Sequence, residues 1–170
     1  KLFLRPEFRW YLMVDTSGNN RTFHADGFRP LIPPGDRFWA DPFVVDHRDR
    51  FFIFAEEFLY KRNKGHISVL ELDREGNLLN SSCILEKSCH MSYPFVFRVD
   101  ESWYMIPETS ENRTIELYQC LEFPYKWKFV MNLAKNTDAV DTTLFRHNDI
   151  WWMFTAVSAH PGFPDYRELF

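Results

Sequence analysis

A chain of 170 residues with 45% hydrophobic content is long enough to bury one sizeable core, yet none of its apolar runs approaches the length of a membrane span. Its formal charge of −4 offers no basic footprint, which excludes nucleic acid as the expected partner. Cys83, Cys89 and Cys120 are odd in number and lack Cys-x-x-Cys spacing; this argues against a disulfide framework and a structural zinc and, with no signal peptide at Lys1, points to a cytoplasmic setting.

From the N-terminus, Phe8 to Val14 alternate as a half-buried strand, with Trp10, Leu12 and Val14 on one face and Arg9, Tyr11 and Met13 on the other. Ser17-Gly18-Asn19-Asn20 supply turn chemistry, and a stiff segment with Pro30, Pro33, Pro34 and Gly35 then leads to Asp41. From there one unit is legible: Phe43-Val44-Val45, apolar on both faces and therefore expected to be enclosed; a turn at Asp46 to Asp49; then Phe51 to Ala55. A polar loop at Lys61 to Gly65 precedes Ile67 to Leu72, and Asp73 to Asn77 turn the chain into a fourth strand near Cys83 to Leu85. The order returns with Phe95 to Phe97, Trp103 to Ile106, Thr114 to Tyr118 and Trp127 to Val130. A third copy opens at Asp141 and Trp151, with Tyr166 to Phe170 where its third strand is expected.

The copies align without a gap, 52 residues from Asp41 to Tyr93 and 48 from Tyr93 to Asp141. That period, with four antiparallel strands per copy, predicts an all-β β-propeller of which residues 1–170 form a single incomplete domain of about three blades, a piece of a longer protein. Two strands that run back antiparallel to one another bring the start of the first and the end of the second to the same face. One mouth therefore collects Asp41, Tyr93 and Asp141 with Glu56, Glu57 and Glu108.

Paired carboxylates can serve as general base and general acid in glycosidic cleavage, which makes Asp41 and Asp141 the catalytic candidates. An Asp at a strand entrance also accepts backbone hydrogen bonds and closes a turn, and that structural reading stands beside the catalytic one. Glu56 and Glu108 align across repeats as hydrogen-bonding acids, whereas Glu57, facing the other way, reads as a solvated strand-end charge. His90 and Tyr93 sit beside the mouth, while Arg37 and Trp39 flank Asp41 as a charge partner and a stacking platform or, for Trp39, as packing. No phosphate loop, nucleophile signature or metal-ligand spacing is present, so neither metal nor cofactor is expected.

The runs Asp36-Arg37-Phe38-Trp39-Ala40-Asp41-Pro42-Phe43, Gly65-His66-Ile67-Ser68-Val69, His90 to Phe97, Tyr104 to Thr109 and Trp151 to Thr155 resemble the N-terminal domain of glucosamine inositolphosphorylceramide transferases. Similar domains occur in bacterial proteins, some joined to formyltransferase-like domains. The resemblance implies a five-bladed propeller related to the arabinanase, levansucrase and invertase group, including glycoside hydrolase family 43. In that group an Asp heading the first blade, matched by Asp41, is the general base, and an Asp heading the third, matched by Asp141, tunes the acid. The acid itself is a Glu of a fourth blade, which this sequence does not reach. In the plant transferases the resemblance assigns sugar transfer to a separate C-terminal domain and leaves the propeller an accessory.

These readings make the chain a carbohydrate-recognition accessory of a glycosyltransferase- or formyltransferase-associated protein. Arg37, Trp39, Glu56, His90, Tyr93 and Glu108 would contact a sugar or glycoconjugate, and further blades or a catalytic domain of the same parent chain would be its neighbours. A family 43-like glycoside hydrolase with Asp41 as base, and a protein-interaction scaffold, are the rivals.

Overall fold

A computed structural model of the chain describes residues 10–16, 27–158 and 168–169. Among these the chain consists of antiparallel strands and turns, with a 3-10 turn at Ser110–Asn112 and no α-helix. A two-stranded ribbon, β1 (Leu12–Val14) with β2 (Arg29–Leu31), comes first. The first four-stranded sheet is β3 (Arg37–His47), β4 (Arg50–Leu59), β5 (Lys64–Leu72) and β6 (Leu78–Leu85), and the second is β7 (Ser92–Val99), β8 (Ser102–Thr109), β9 (Thr114–Glu122) and β10 (Lys126–Lys135). Each follows chain order across the sheet. The third sheet holds β11 (Ala139–His147), β12 (Ile150–Val157) and β13 (Glu168–Leu169).

Local chemistry explains the meander. Strand β4 opens on Phe51-Phe52-Ile53-Phe54, aromatic and β-branched residues that fit a pleated, buried surface. Two-residue turns join the first two strands of each sheet, pairing His47 with Arg50, Val99 with Ser102 and His147 with Ile150. In the last turn both Asn148 and Asp149 adopt positive φ, as a hairpin matched to strand twist requires. At the turn into β6, Asp73 accepts the Asn77 N–H at 2.7 Å while Gly76 takes φ +75°.

Packing is face to face, with one sheet handing its apolar face to the next. Val45, Phe52, Phe54, Ile67 and Val69 of the first sheet meet Met105 and Tyr118 of the second, with Cys89 and Met91 of the connecting segment between them. On its other face the first sheet is covered by the ribbon, where Leu12 and Leu31 pack on Trp39, Ile53, Ala55, Leu70 and Leu72. Ile106 and Ile115 carry the second sheet onto Ala139, with Leu144 and Val157 beside it.

Several expectations need correction. The enclosed strands are β4 and β5, whereas Val44 of β3 is 63% exposed, because β3 is the edge strand of its sheet. Trp10 is exposed and the first ribbon strand is assigned only from Leu12; Phe8, Arg9 and the Ser17 to Asn20 turn lie outside the described residues. Glu168 and Leu169 pair with Val157 and Ala156, the expected place of a third strand; Tyr166, Arg167 and Phe170 lie outside the described residues.

Candidate functional site

The same irregularity interrupts the first strand of all three sheets. Register shifts fall between Ala40 and Phe43, Ser92 and Phe95, and Val140 and Thr143. Within these bulges Asp41, Tyr93 and Asp141 take φ of 50°, 41° and 54°. Left-handed backbone at a non-glycine residue costs on the order of 1 kcal/mol, so its recurrence at three equivalent positions marks strain maintained for a purpose. Pro42 and Pro94 follow two of the three and keep the preceding residue out of the right-handed helical region.

The bulges bring acidic groups together across sheet boundaries. Asp41 Oδ2 accepts the backbone N–H of Tyr93 at 3.3 Å, and Glu108 Oε2 accepts that of Asp141 at 3.4 Å. Ser110 Oγ donates to Glu108 Oε1 at 3.0 Å, and the Tyr93 hydroxyl lies 2.9 Å from Thr143 Oγ1. Glu56, opposite Ala40 on β4, sits with one oxygen 3.4 Å from His90 Nε2. His90 Nδ1 accepts the Gly65 N–H at 3.0 Å, so in the neutral ring the proton is on Nε2, toward Glu56. Gly65 is required by proximity: a Cβ there would lie 2.7 Å from both Glu56 Oε1 and the Met91 carbonyl oxygen.

Electrostatics at this end favour neutral acids. Burial pushes Glu56 up to about 8, helped by the charges of Asp41 and Glu108 and opposed by His66. Burial also raises Glu108, with Asp141 and Asp41 adding to it against the Ser110 and Asp141 hydrogen bonds. Asp41 is raised by burial and by Asp141, while the Tyr93 N–H and His90 oppose the shift. Burial lowers His90 and keeps it neutral near pH 7, although Glu111 and Asp41 pull the other way. The result is one carboxyl group, Glu56, able to hold its proton at neutral pH, with Asp41 and Glu108 raised in the same direction beside a neutral imidazole: a hydrogen-bonding surface with both donors and acceptors.

Six of the eight candidates, Asp41, Glu56, His90, Tyr93, Glu108 and Asp141, therefore converge. Arg37 and Trp39 do not join them. Trp39 is 2% exposed in the core and donates its indole N–H to Glu57 at 2.8 Å, so it has no open ring face to offer as a platform. Arg37 is bound to Glu57 at 2.8 Å and to Asp36. Glu57 is thus no solvated charge: burial would raise its pKa, but His66, Trp39 and Arg37 outweigh that and hold it low. Gly65, Ser110 and Thr143 complete the site and were not singled out from sequence; Ser110, two residues beyond Glu108, was the nearest to a readable signal.

A cleft of about 610 Å³ lies at the opposite end of the first two sheets, between the His47 to Arg50 hairpin and the Phe123 to Tyr125 turn. Volume and chemistry therefore point to different ends, and the buried, raised carboxyl groups lie at the end away from this cleft. Among the described residues no group of three or more His, Cys, Asp or Glu is arranged to hold a metal, and no helix is long and apolar enough to cross a membrane.

Repeated antiparallel sheets that share a bulge in their first strand and gather buried carboxyl groups beside it define an all-β repeat protein. The family model described as glucosamine inositolphosphorylceramide transferase 1, N-terminal, matches residues 33–169, and the chain belongs to that family. It is 30% identical over 133 residues to glucosamine inositolphosphorylceramide transferase 1 of Oryza sativa subsp. indica, covering 78% of this chain and 18% of the relative. Against the Arabidopsis thaliana protein of the same name the figures are 32% over 127 residues, 74% and 16%. The chain thus spans less than a fifth of the length of these relatives. No solved structure matches it significantly.

Proposed function

We propose that this chain is the carbohydrate-recognition part of a larger sugar-modifying protein, and that its three sheets are successive blades of a five-bladed β-propeller. The observation that carries the site is the threefold bulge, which sets Asp41, Tyr93 and Asp141 at one mouth with Glu56, His90 and Glu108. Such a mouth suits a polyhydroxylated ligand, because neutral carboxyl groups donate to hydroxyl oxygens while ionised ones accept from hydroxyl hydrogens. Isothermal titration of the full parent protein against nucleotide sugars and glycans tests this. Binding that weakens at least tenfold in Asp41→Asn and Glu108→Gln supports it, and silence across a broad panel removes it.

The blade assignment has its own support. Phe145, Trp152 and Phe154 of the third sheet are the equivalents of Val45, Phe52 and Phe54, which face the second sheet, yet they are about half exposed. A following sheet of the same repeat would cover them, contributing about 1.5–3 kcal/mol per large side chain. Family membership and the relatives' greater length favour a neighbouring sheet from the parent chain over a second copy.

The hydrolase reading is favoured by one observation, the protonated Glu56 close to Asp41, an acid and a base in one mouth. Loss of all turnover in a folded Asp41→Asn protein, assayed on the glycans that bind, would support it; retained turnover excludes Asp41 as base.

A further inference from the structure

Between the second and third sheets runs an open apolar groove of about 580 Å³, with Val99 and Tyr104 on one wall and Trp151 and Met153 on the other. Among its lining side chains only the Tyr104 hydroxyl and the Trp151 indole N–H are polar, so it suits a large apolar occupant and not a charged one. The first and second sheets meet at a groove of the same construction, and there the occupant is visible. Phe123, in the turn between β9 and β10, places its ring 4.8 Å from that of His47, 5.1 Å from Phe52 and 5.1 Å from Trp103. In the repeat the counterparts of these three neighbours are Val99, Tyr104 and Trp151, and all three line the open groove. The rim agrees: the strand pairings make Leu133 the counterpart of Ile84, which packs on the core between the first two sheets, whereas Leu133 is exposed. Leu169 pairs with Ala156 as Ile115 pairs with Glu108, so the strand that β13 begins heads back along β12 toward Trp151, just as β9 runs along β8 before turning at Phe123.

We propose that this groove is the docking site for a large apolar side chain of the parent chain itself, carried by the turn that follows the third strand of the third sheet. Phe123 lies eight residues beyond Ile115, which puts that side chain about eight positions beyond Leu169. An aromatic ring fits best, since Tyr104 and Trp151 offer it two ring partners as Phe52 and Trp103 do to Phe123. The proposal rests on the reading of the three sheets as blades of one repeat, but it assigns a different contact. The following sheet of that reading covers Phe145, Trp152 and Phe154 on the far face of the third sheet, whereas this side chain ties the third sheet back to the second. It brings the joint built on Ile106, Ile115 and Ala139 toward the larger one between the first two sheets.

The test is hydroxyl-radical footprinting of the folded parent protein, with the oxidation of each aromatic side chain read by peptide mass spectrometry against the urea-unfolded protein. Tyr104 and Trp151 are expected to match the protection of Phe52 and Trp103 within roughly twofold, and to lose roughly fivefold of it when serine is placed at the docking position while Phe52 and Trp103 keep theirs. Tyr104 and Trp151 as reactive as in the unfolded protein overturn the proposal even if the serine variant fails to fold, and a folded serine variant with full protection overturns it too. A parent sequence with no large apolar residue at that position or on either side of it does the same. Protection that appears only as protein concentration rises assigns the groove to a second copy and also overturns it. Trp152 separates this contact from the blade reading: a reactive Trp152 beside protected Tyr104 and Trp151 removes the following sheet and supports the docked side chain.

Discussion

The first and third sheets are built from aligned sequence, yet one is sealed and the other open. Phe54 is 0% exposed and Phe154, its equivalent, is 42% exposed. The strands are alike, so the contrast comes from neighbours: the first sheet lies between the ribbon and the second sheet, whereas the third has described packing on one face alone. A side chain's hydrophobicity therefore does not set its energetic role here; its place in the stack does.

Substitutions can break or sharpen that contrast. The largest effect is expected for Phe54→Ala, a loss of about 3–5 kcal/mol in urea unfolding, against less than about 1 kcal/mol for Phe154→Ala. Comparable losses at both positions would mean that the third sheet's face is covered in the isolated chain. Glu57→Ala should follow, destabilising by about 3 kcal/mol because it strands the Arg37 and His66 partners of a buried carboxylate. Gly65→Ala comes next, at about 1–3 kcal/mol, since the new methyl must displace the Met91 carbonyl; a shifted His90 ring resonance by NMR would report the accompanying change at the mouth.

The pH response should differ between the sheets, because the third carries Ala156 where the first two carry Glu56 and Glu108. The folded pKa of Glu56 is raised from 4.5 to about 8, so the folded chain keeps a proton that the unfolded chain releases. Stability on this account falls as pH rises from about 4.5 and levels off above about 8. Glu56→Gln should therefore raise Tm relative to the wild type at pH 9 and leave it nearly unchanged at pH 4, whereas Ala156→Gln should show no such pH-dependent gain. A wild-type chain whose Tm difference from Glu56→Gln is flat across that range would remove the buried-acid account. The smallest effect is expected for Trp152→Ser, which should lower binding of a hydrophobic dye to the native chain with little change in stability.

Much of this fold was legible because the ungapped repeat marked the strand pairs and their turns. The faces were harder to read. Strict alternation along β3 would place Asp41 on the side of Trp39 and Glu57, since residues two apart share a face. The bulge after Ala40 and the left-handed Asp41 break that parity and deliver the carboxylate to Glu56 instead. Nothing in Trp39-Ala40-Asp41-Pro42 states this by itself; only the recurrence at Tyr93 and Asp141 hints at it. The inward turn of Glu57 was hidden for a related reason, as its partners Arg37, Trp39 and His66 come from two other strands.

The amides of Tyr93 and Asp141 are clasped by acids belonging to the sheet before them. A molecule that drew those oxygens away from the amides would loosen the clasp, and filling the mouth and slackening the joint between neighbouring sheets would then be a single event. Occupancy would then be readable far from the contact point, as a change in how stiffly the stack is hinged.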